Sequence, residues 1–293
     1  MNQLWMRCVW PAPVLLAGAL ARVAIAQHQL PAGLTLTPAA LFQPDPTSAA
    51  QQSAPLIVAP DRPGLGDSTQ IVPQGHVGLE FGYLYTYSDH NGVITQTQSA
   101  PQALIRVGIH DDQVELRLGA TGFVYARIND GSGTATEDGF TDVVPGVKVR
   151  LWDQEPGLPR VCLLASTTVG LGSRDISSRD VEPMLEAPWS YKFSEELELD
   201  GSFAVSYASD GQDRFFQGAA SVSLFYQFTQ KFGGFVEYFV VGPNTKGSDA
   251  AHFIDGGVTY LLTDRIQLDA SVGFGLNQEA DDFFAGAGIS FLF

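Results

Sequence analysis

The chain has 293 residues and a formal net charge of −16, with a pI near 4.5. That balance excludes nucleic acid as a partner, because binding a polyanion needs basic patches. Thirty-one glycines and 11% aromatic residues suit a protein of many strands and turns. The cysteines, Cys8 and Cys162, are too few for a Cys-based metal site.

In chain order, the first element is a secretory leader. Arg7 supplies positive charge, an apolar stretch of about 14 residues runs from Cys8 to Ala21, and Ala24-Ile25-Ala26 offers small residues for cleavage before Gln27. The stretch is short of the ~20 residues a membrane-spanning helix needs. Removing residues 1–26 takes Cys8 with it and leaves Cys162 as the lone thiol. Residues 27–60 are rich in Pro, Ala, Gln, Ser and Thr with almost no charge, and they read as a flexible linker.

From residue 61 to 293 the chain reads as one all-β domain. Alternation with period two recurs about twelve times. Val77, Leu79, Phe81, Tyr83 and Tyr85 share one face, against Gly78, Glu80 and Gly82. Val114, Leu116 and Leu118 oppose Glu115 and Arg117, and Val147, Val149 and Leu151 oppose Lys148 and Arg150. Later stripes include Leu185–Phe193 opposite Glu186 and Lys192, Val236–Val240 opposite Glu237, Ile254–Leu262 opposite Asp255, and Ile266–Phe274 opposite Asp269. Short turns alternate with longer loops, expected near 87–95, 127–140, 172–181, 208–214, 242–251 and 276–282. No later segment has 18 consecutive apolar residues. Together these features predict a transmembrane antiparallel up-and-down β-barrel of about twelve strands, with hydrated polar residues inside and lipid outside. The closing stripe ends in Gly288, Phe291 and Phe293, which resembles the C-terminal signal read by outer-membrane assembly machinery.

Inward positions carry the candidate functional residues: Glu80, Arg106, Glu115, Arg117, Lys148, Arg150, Glu186, Lys192, Glu237, Asp255 and Asp269. With Glu182, Glu198 and Asp200, nine acids face five bases. Such charges either pair across strands and stiffen a narrow lumen, or line a weakly cation-preferring water path. Pro145, Pro183 and Pro188 mark places where strand pairing can break. No catalytic or metal motif is present: Gly-x-Ser-x-Gly, His-Glu-x-x-His and calcium-loop spacings are all missing. His28 falls in the linker, His76 and His110 on the short-turn side, and His90 and His252 on the long-loop side. A rim His/Asp pair is the remote enzymatic alternative. No enzyme, cofactor or metal is expected.

Pro60-Asp61-Arg62-Pro63-Gly64, Asp67-Ser68 and Val72-Pro73-Gln74-Gly75-His76 resemble the opening of outer-membrane proteins assigned to transport in a phenol-degradation meta pathway. Members read Thr-Asp-Arg-Pro, a Ser-rich stretch, then Val-Pro-x-Gly-His; the leading Thr is absent here, with Ala59 in its stead ahead of Pro60. Pro156-Gly157-Leu158-Pro159 with Leu163-Leu164-Ala165 and Gly170-x-Gly172-Ser173 looks like the family's middle segment. The resemblance implies an outer-membrane channel for small solutes, apolar or aromatic compounds among them, with the lipid and the assembly machinery as partners. The alternative is a structural or binding barrel whose lumen is plugged by charge and conducts nothing.

Overall fold

The computed structural model describes residues 56–293 except 178, 212 and 246. The expected leader, and the linker as far as residue 55, lie outside the described residues. Fourteen strands form one antiparallel sheet: β1 (Val77–His90), β2 (Val93–His110), β3 (Val114–Ala120), β4 (Phe123–Asn129), β5 (Thr134–Phe140), β6 (Val143–Trp152), β7 (Arg160–Thr168), β8 (Glu182–Lys192), β9 (Leu197–Ser209), β10 (Arg214–Gln227), β11 (Phe232–Val241), β12 (Ala251–Thr263), β13 (Ile266–Gly275) and β14 (Phe283–Leu292).

The order β1-β14-β13-β12-β11-β10-β9-β8-β7-β6-β3-β2 closes through β1–β2 pairing. β3 pairs with the later half of β2, from Ala103↔Ala120 to His110↔Val114. β4 pairs with its earlier half, from Ile94↔Asn129 to Ala100↔Phe123. β3 and β4 are therefore two halves of one stave, and β5 and β6 are two halves of the next. Counted as staves, the barrel has twelve, as the alternation predicts. Closure through β1–β2 pairs the barrel ring on both sides, the condition for a sheet in hydrocarbon, while β5 pairs with β4 alone in the extension of the wall.

Alternation along the staves gives the protein its inverted surface. Ile105, Leu116 and Leu118 are 41–46% exposed, while their neighbours Arg106, Glu115 and Arg117 are at most 7% exposed. Water would not sustain so continuous an apolar exterior, and lipid would.

Two expected loops prove to be strands. The stretch 87–95 is the tip of a β1–β2 hairpin that turns on Asn91 and Gly92, both with positive φ, as two-residue hairpin turns require. The stretch 127–140 is mostly the β4–β5 hairpin. Their Gly-, Thr- and Asp-containing sequences lack an apolar stripe, so periodicity could not reveal them. Among the suspected breaks, Pro188 interrupts the β7–β8 ladder, which registers Val161↔Trp189 and next Leu164↔Glu186, whereas Pro145 and Pro183 stay in register.

Candidate functional site

Residues 57–76 form no stave. They run inside the barrel as a strap, so the expected barrel start at residue 61 falls within the lumen, and the wall begins at Val77. The strap enters beside the β12–β13 turn, where the Val58 N–H donates to the Asp264 carbonyl at 2.8 Å. It leaves beside the β2–β3 turn, where the Gln74 N–H donates to Asp112 Oδ1 at 2.7 Å. Both turns lie at the end of the barrel that carries the C-terminus, here called the near end. Between them the chain climbs to mid-wall around Gly64-Leu65-Gly66.

Prolines at 60, 63 and 73 remove backbone donors and fix φ, and the strap's backbone pairing with the wall is confined to one isolated bridge, Gln74↔Gly108. Wall side chains bond its backbone instead. Glu80 accepts the Asp61 and Arg62 N–H groups at 3.1–3.2 Å. Glu237 accepts from Leu65 at 2.8 Å, Glu186 from Asp67 at 3.1 Å, and Glu115 from Val72 at 2.9 Å. In the other direction, Arg106 donates to the Ala59 and Gln70 carbonyls at 2.9 and 2.8 Å, and Lys148 donates to Ser68 at 2.9 Å.

The strap's own carboxylates complete a buried ion cluster. Asp61 accepts from Lys148 Nζ at 3.0 and 3.1 Å and from Arg117 Nη1, and Asp67 accepts from Arg117 Nη2. Arg106 reaches Glu115 at 2.9 Å and Glu80 at 3.1 Å. Burial alone would raise the Asp61 carboxyl, but the Arg106, Lys148 and Arg117 charges outweigh it and hold it well below the usual carboxylate range. Arg62 lies along one wall, bridging neighbouring staves from Gln102 on β2 at 2.9 Å to the Ala287 carbonyl on β14 at 3.3 Å and Asp269 on β13 at 3.4 Å. Cross-stave pairing, the sequence expectation, holds for Arg106 with Glu80 and Glu115; the other strong contacts go to the strap.

The wall makes room for this segment. A Cβ on Gly108 would run into the Val72 and Pro73 carbonyl oxygens, and one on Gly82 or Gly288 would meet the Arg62 guanidinium. Gly288, expected as part of an assembly signal, thus packs against the strap, while Phe291 and Phe293 stack ring on ring 6.1 Å apart.

Nine of the eleven inward candidates are buried: Glu80, Arg106, Glu115, Arg117, Lys148, Glu186, Glu237, Asp255 and Asp269. The other two stand at the near rim. Arg150 lies 3.7 Å from Asp153, and the mostly exposed Lys192 lies 3.8 Å from Glu198. The bases concentrate on β2, β3 and β6. The opposite wall carries Glu186, Glu237, Asp255 and Asp269 among buried serines at 202, 206, 221 and 223. Glu237 and Asp255 sit directly across adjacent staves, and Asp255 Oδ1 and Asp269 Oδ2 have no protein partner. Small hydroxyls and open carboxylate oxygens suit a hydrated face.

Above the strap, toward the far end, opens a recess of about 220 Å³, lined by Leu84, Leu104, Phe239, Phe253 and Phe284 and floored by Arg62–Gly66. The Phe239 and Phe253 rings stack at 4.7 Å, and Phe284 meets Phe253 edge-on at 6.0 Å. Gly273 leaves the space that the Phe284 ring occupies. Glu279 and Asp281 of the β13–β14 loop border the recess. Burial pushes the Asp281 carboxyl up to about 6, against the pull of His90. Asp61, Arg62, Asp67 and the three phenylalanines were not among the sequence-predicted site residues. The signal for the rings was their place in the alternation, since each occupies a polar-face position.

Three solved structures share the fold: the translocator domain of the autotransporter NalP from Neisseria meningitidis, the transport unit of the autotransporter AIDA-I from Escherichia coli, and the β domain of the Bordetella autotransporter BrkA. Their TM-scores are 0.51, 0.51 and 0.50, at 12%, 10% and 11% identity. They cover 74%, 75% and 74% of this chain, and 87%, 90% and 99% of their own. At such identities the likeness shows the fold alone, that of an outer-membrane β-barrel. No curated protein matches the sequence. The profile described as "Putative MetA-pathway of phenol degradation" matches residues 60–293, beginning at the strap rather than at the first stave, and the chain belongs to that family.

Proposed function

We propose that the protein is an outer-membrane channel for small solutes, apolar or aromatic compounds among them, whose lumen is closed by its own N-terminal strap. The near end faces the periplasm and the recess faces outward. The observation that carries this reading is the way the strap is held. Its contacts with the wall are mainly hydrogen bonds and ion pairs, and among its apolar side chains only Val58, Ile71 and Val72 are buried. Water can replace polar contacts of this kind, so displacement leaves a hydrated, charge-lined lumen rather than a torn apolar core. A solute entering from outside meets the recess first and the strap next.

A second reading has its own support: the strap fills the near half of the lumen, as a non-conducting structural or binding barrel would require. Single-channel conductance of the refolded mature protein in a planar bilayer separates the two. Openings whose frequency rises with small aromatic solutes support the channel. A folded barrel silent under all solutes and voltages, with a lumen no thiol reagent reaches, supports the sealed barrel.

A further inference from the structure

We infer that the recess above the strap is a binding site for one six-membered aromatic ring that is neutral or cationic, and that it turns away aromatic carboxylates. This deepens the channel reading and rests on it for its biological sense.

The wall around the recess gathers apolar side chains at inward positions. Many inward positions elsewhere carry small, polar or charged residues, with exceptions such as Leu164, whereas here Phe239, Phe253 and Phe284 on β11, β12 and β14 stand together with Leu84 and Leu104. Each stands within two residues of an inward polar or glycine position: Phe239 after Glu237, Phe253 before Asp255, Phe284 before Gly286. The rings meet face to face and edge to face, and one side of the cluster borders open space rather than other side chains. An apolar cavity of about 150 Å³ holds benzene, so about 220 Å³ accommodates one substituted ring. The edge-on Phe284 and the stacked pair offer both geometries that aromatic rings prefer.

Charge selects what the ring can carry. Glu279 and Asp281 border the recess, Asp255 lies below them, and Arg62 is the one base among the lining residues. Its terminal nitrogens are already engaged by Gln102 and Asp269, and its Nε is buried without a partner. A carboxylate substituent would approach acids with no free cation to receive it. A hydroxyl or ammonium can donate to those acids, and a cation also gains from the ring faces.

The test uses three molecules with the same ring: benzyl alcohol, benzylamine and benzoate. Each is titrated at pH 7.5 against the full mature protein in lipid nanodiscs, with empty nanodiscs as the partition control, and read by ligand-observed saturation-transfer NMR. Saturable binding of the alcohol and the amine is expected, with benzoate at least tenfold weaker. Phe253→Leu, a mild change, should weaken the alcohol and the amine several-fold. Glu279→Gln with Asp281→Asn should weaken the amine and narrow the benzoate gap, and should weaken the alcohol less than the amine because an amide oxygen still accepts from a hydroxyl. Benzoate binding as tightly as the amine would overturn the proposal, as would binding indifferent to Phe253→Leu. Binding without conductance refutes the channel reading and leaves this one standing. Conductance without saturable binding does the reverse.

Discussion

Replacing Asp61 by Ala should release the strap without unfolding the barrel. In the native protein the Asp61 carboxylate takes Lys148 at 3.0 Å, Arg117, and the Ser68 N–H and hydroxyl at 2.9 and 2.6 Å. Lys148 is fully buried, and Arg106 and Arg117 nearly so. Removing one partner of such a buried network costs about 3–5 kcal/mol. The stave ladders do not involve Asp61, so the cost falls on strap docking. At about 1.4 kcal/mol per decade, the undocked fraction rises by roughly two to four orders of magnitude. Cys162 reports this directly: its side chain is fully buried and its thiol donates to the Thr69 carbonyl of the strap at 3.3 Å. A polar maleimide should label Cys162 far faster in Asp61→Ala than in the native protein, with Asp61→Asn in between. Labelling within threefold of native, in a variant that still shows the heat-modifiable mobility of a folded barrel, would refute the claim that this cluster holds the strap.

Other outcomes follow from the same geometry. Gly108→Val puts side-chain atoms into the Val72 and Pro73 carbonyls, and should raise Cys162 labelling through sterics alone while strand content by circular dichroism stays native. Val236 faces outward at 50% exposure midway along β11; Val236→Arg should cost about 2–4 kcal/mol in urea unfolding from lipid, and a cost near zero would contradict the assignment of that face to hydrocarbon. Asp281 titrates near 6 in the folded protein, above its ordinary 3.8. The folded state therefore binds that proton more tightly, and docking of the 276–282 loop is strongest below about pH 4 and loses up to about 3 kcal/mol as pH rises through 6. Hydrogen exchange of that loop, corrected for intrinsic rates, should show this step, and Asp281→Asn should abolish it.

The barrel was legible because a stave crossing lipid must alternate, and alternation is a local signal. Val77 to Tyr83 and Ala285 to Phe291 alternate throughout, and every buried lumen charge named from sequence lies on the inward face. The strap was illegible for the opposite reason. Its backbone bonds go to distant side chains such as Glu237 and Glu186, so nothing in residues 57–76 repeats. Its Pro-Asp-Arg-Pro-Gly opening read as the start of the barrel, when it belongs to a segment that forms no stave. The mid-stave breaks after Ala120 and Phe140 escaped notice because the strands beyond them rise past the apolar band, where Thr, Gln and Asp suffice. The recess was hidden in plain alternation: Phe239, Phe253 and Phe284 are apolar residues in polar register, and only closure of the sheet brings them together.

The most direct test of the central claim compares single-channel conductance of the mature protein with that of an Asp61→Ala, Asp67→Ala variant under identical lipid, salt and voltage. A strap that gates a solute path predicts rare or brief openings in the native protein and long, frequent openings of the same barrel in the variant, with cations favoured by the acids that remain. Two traces that cannot be told apart, from barrels equally well folded, would contradict it.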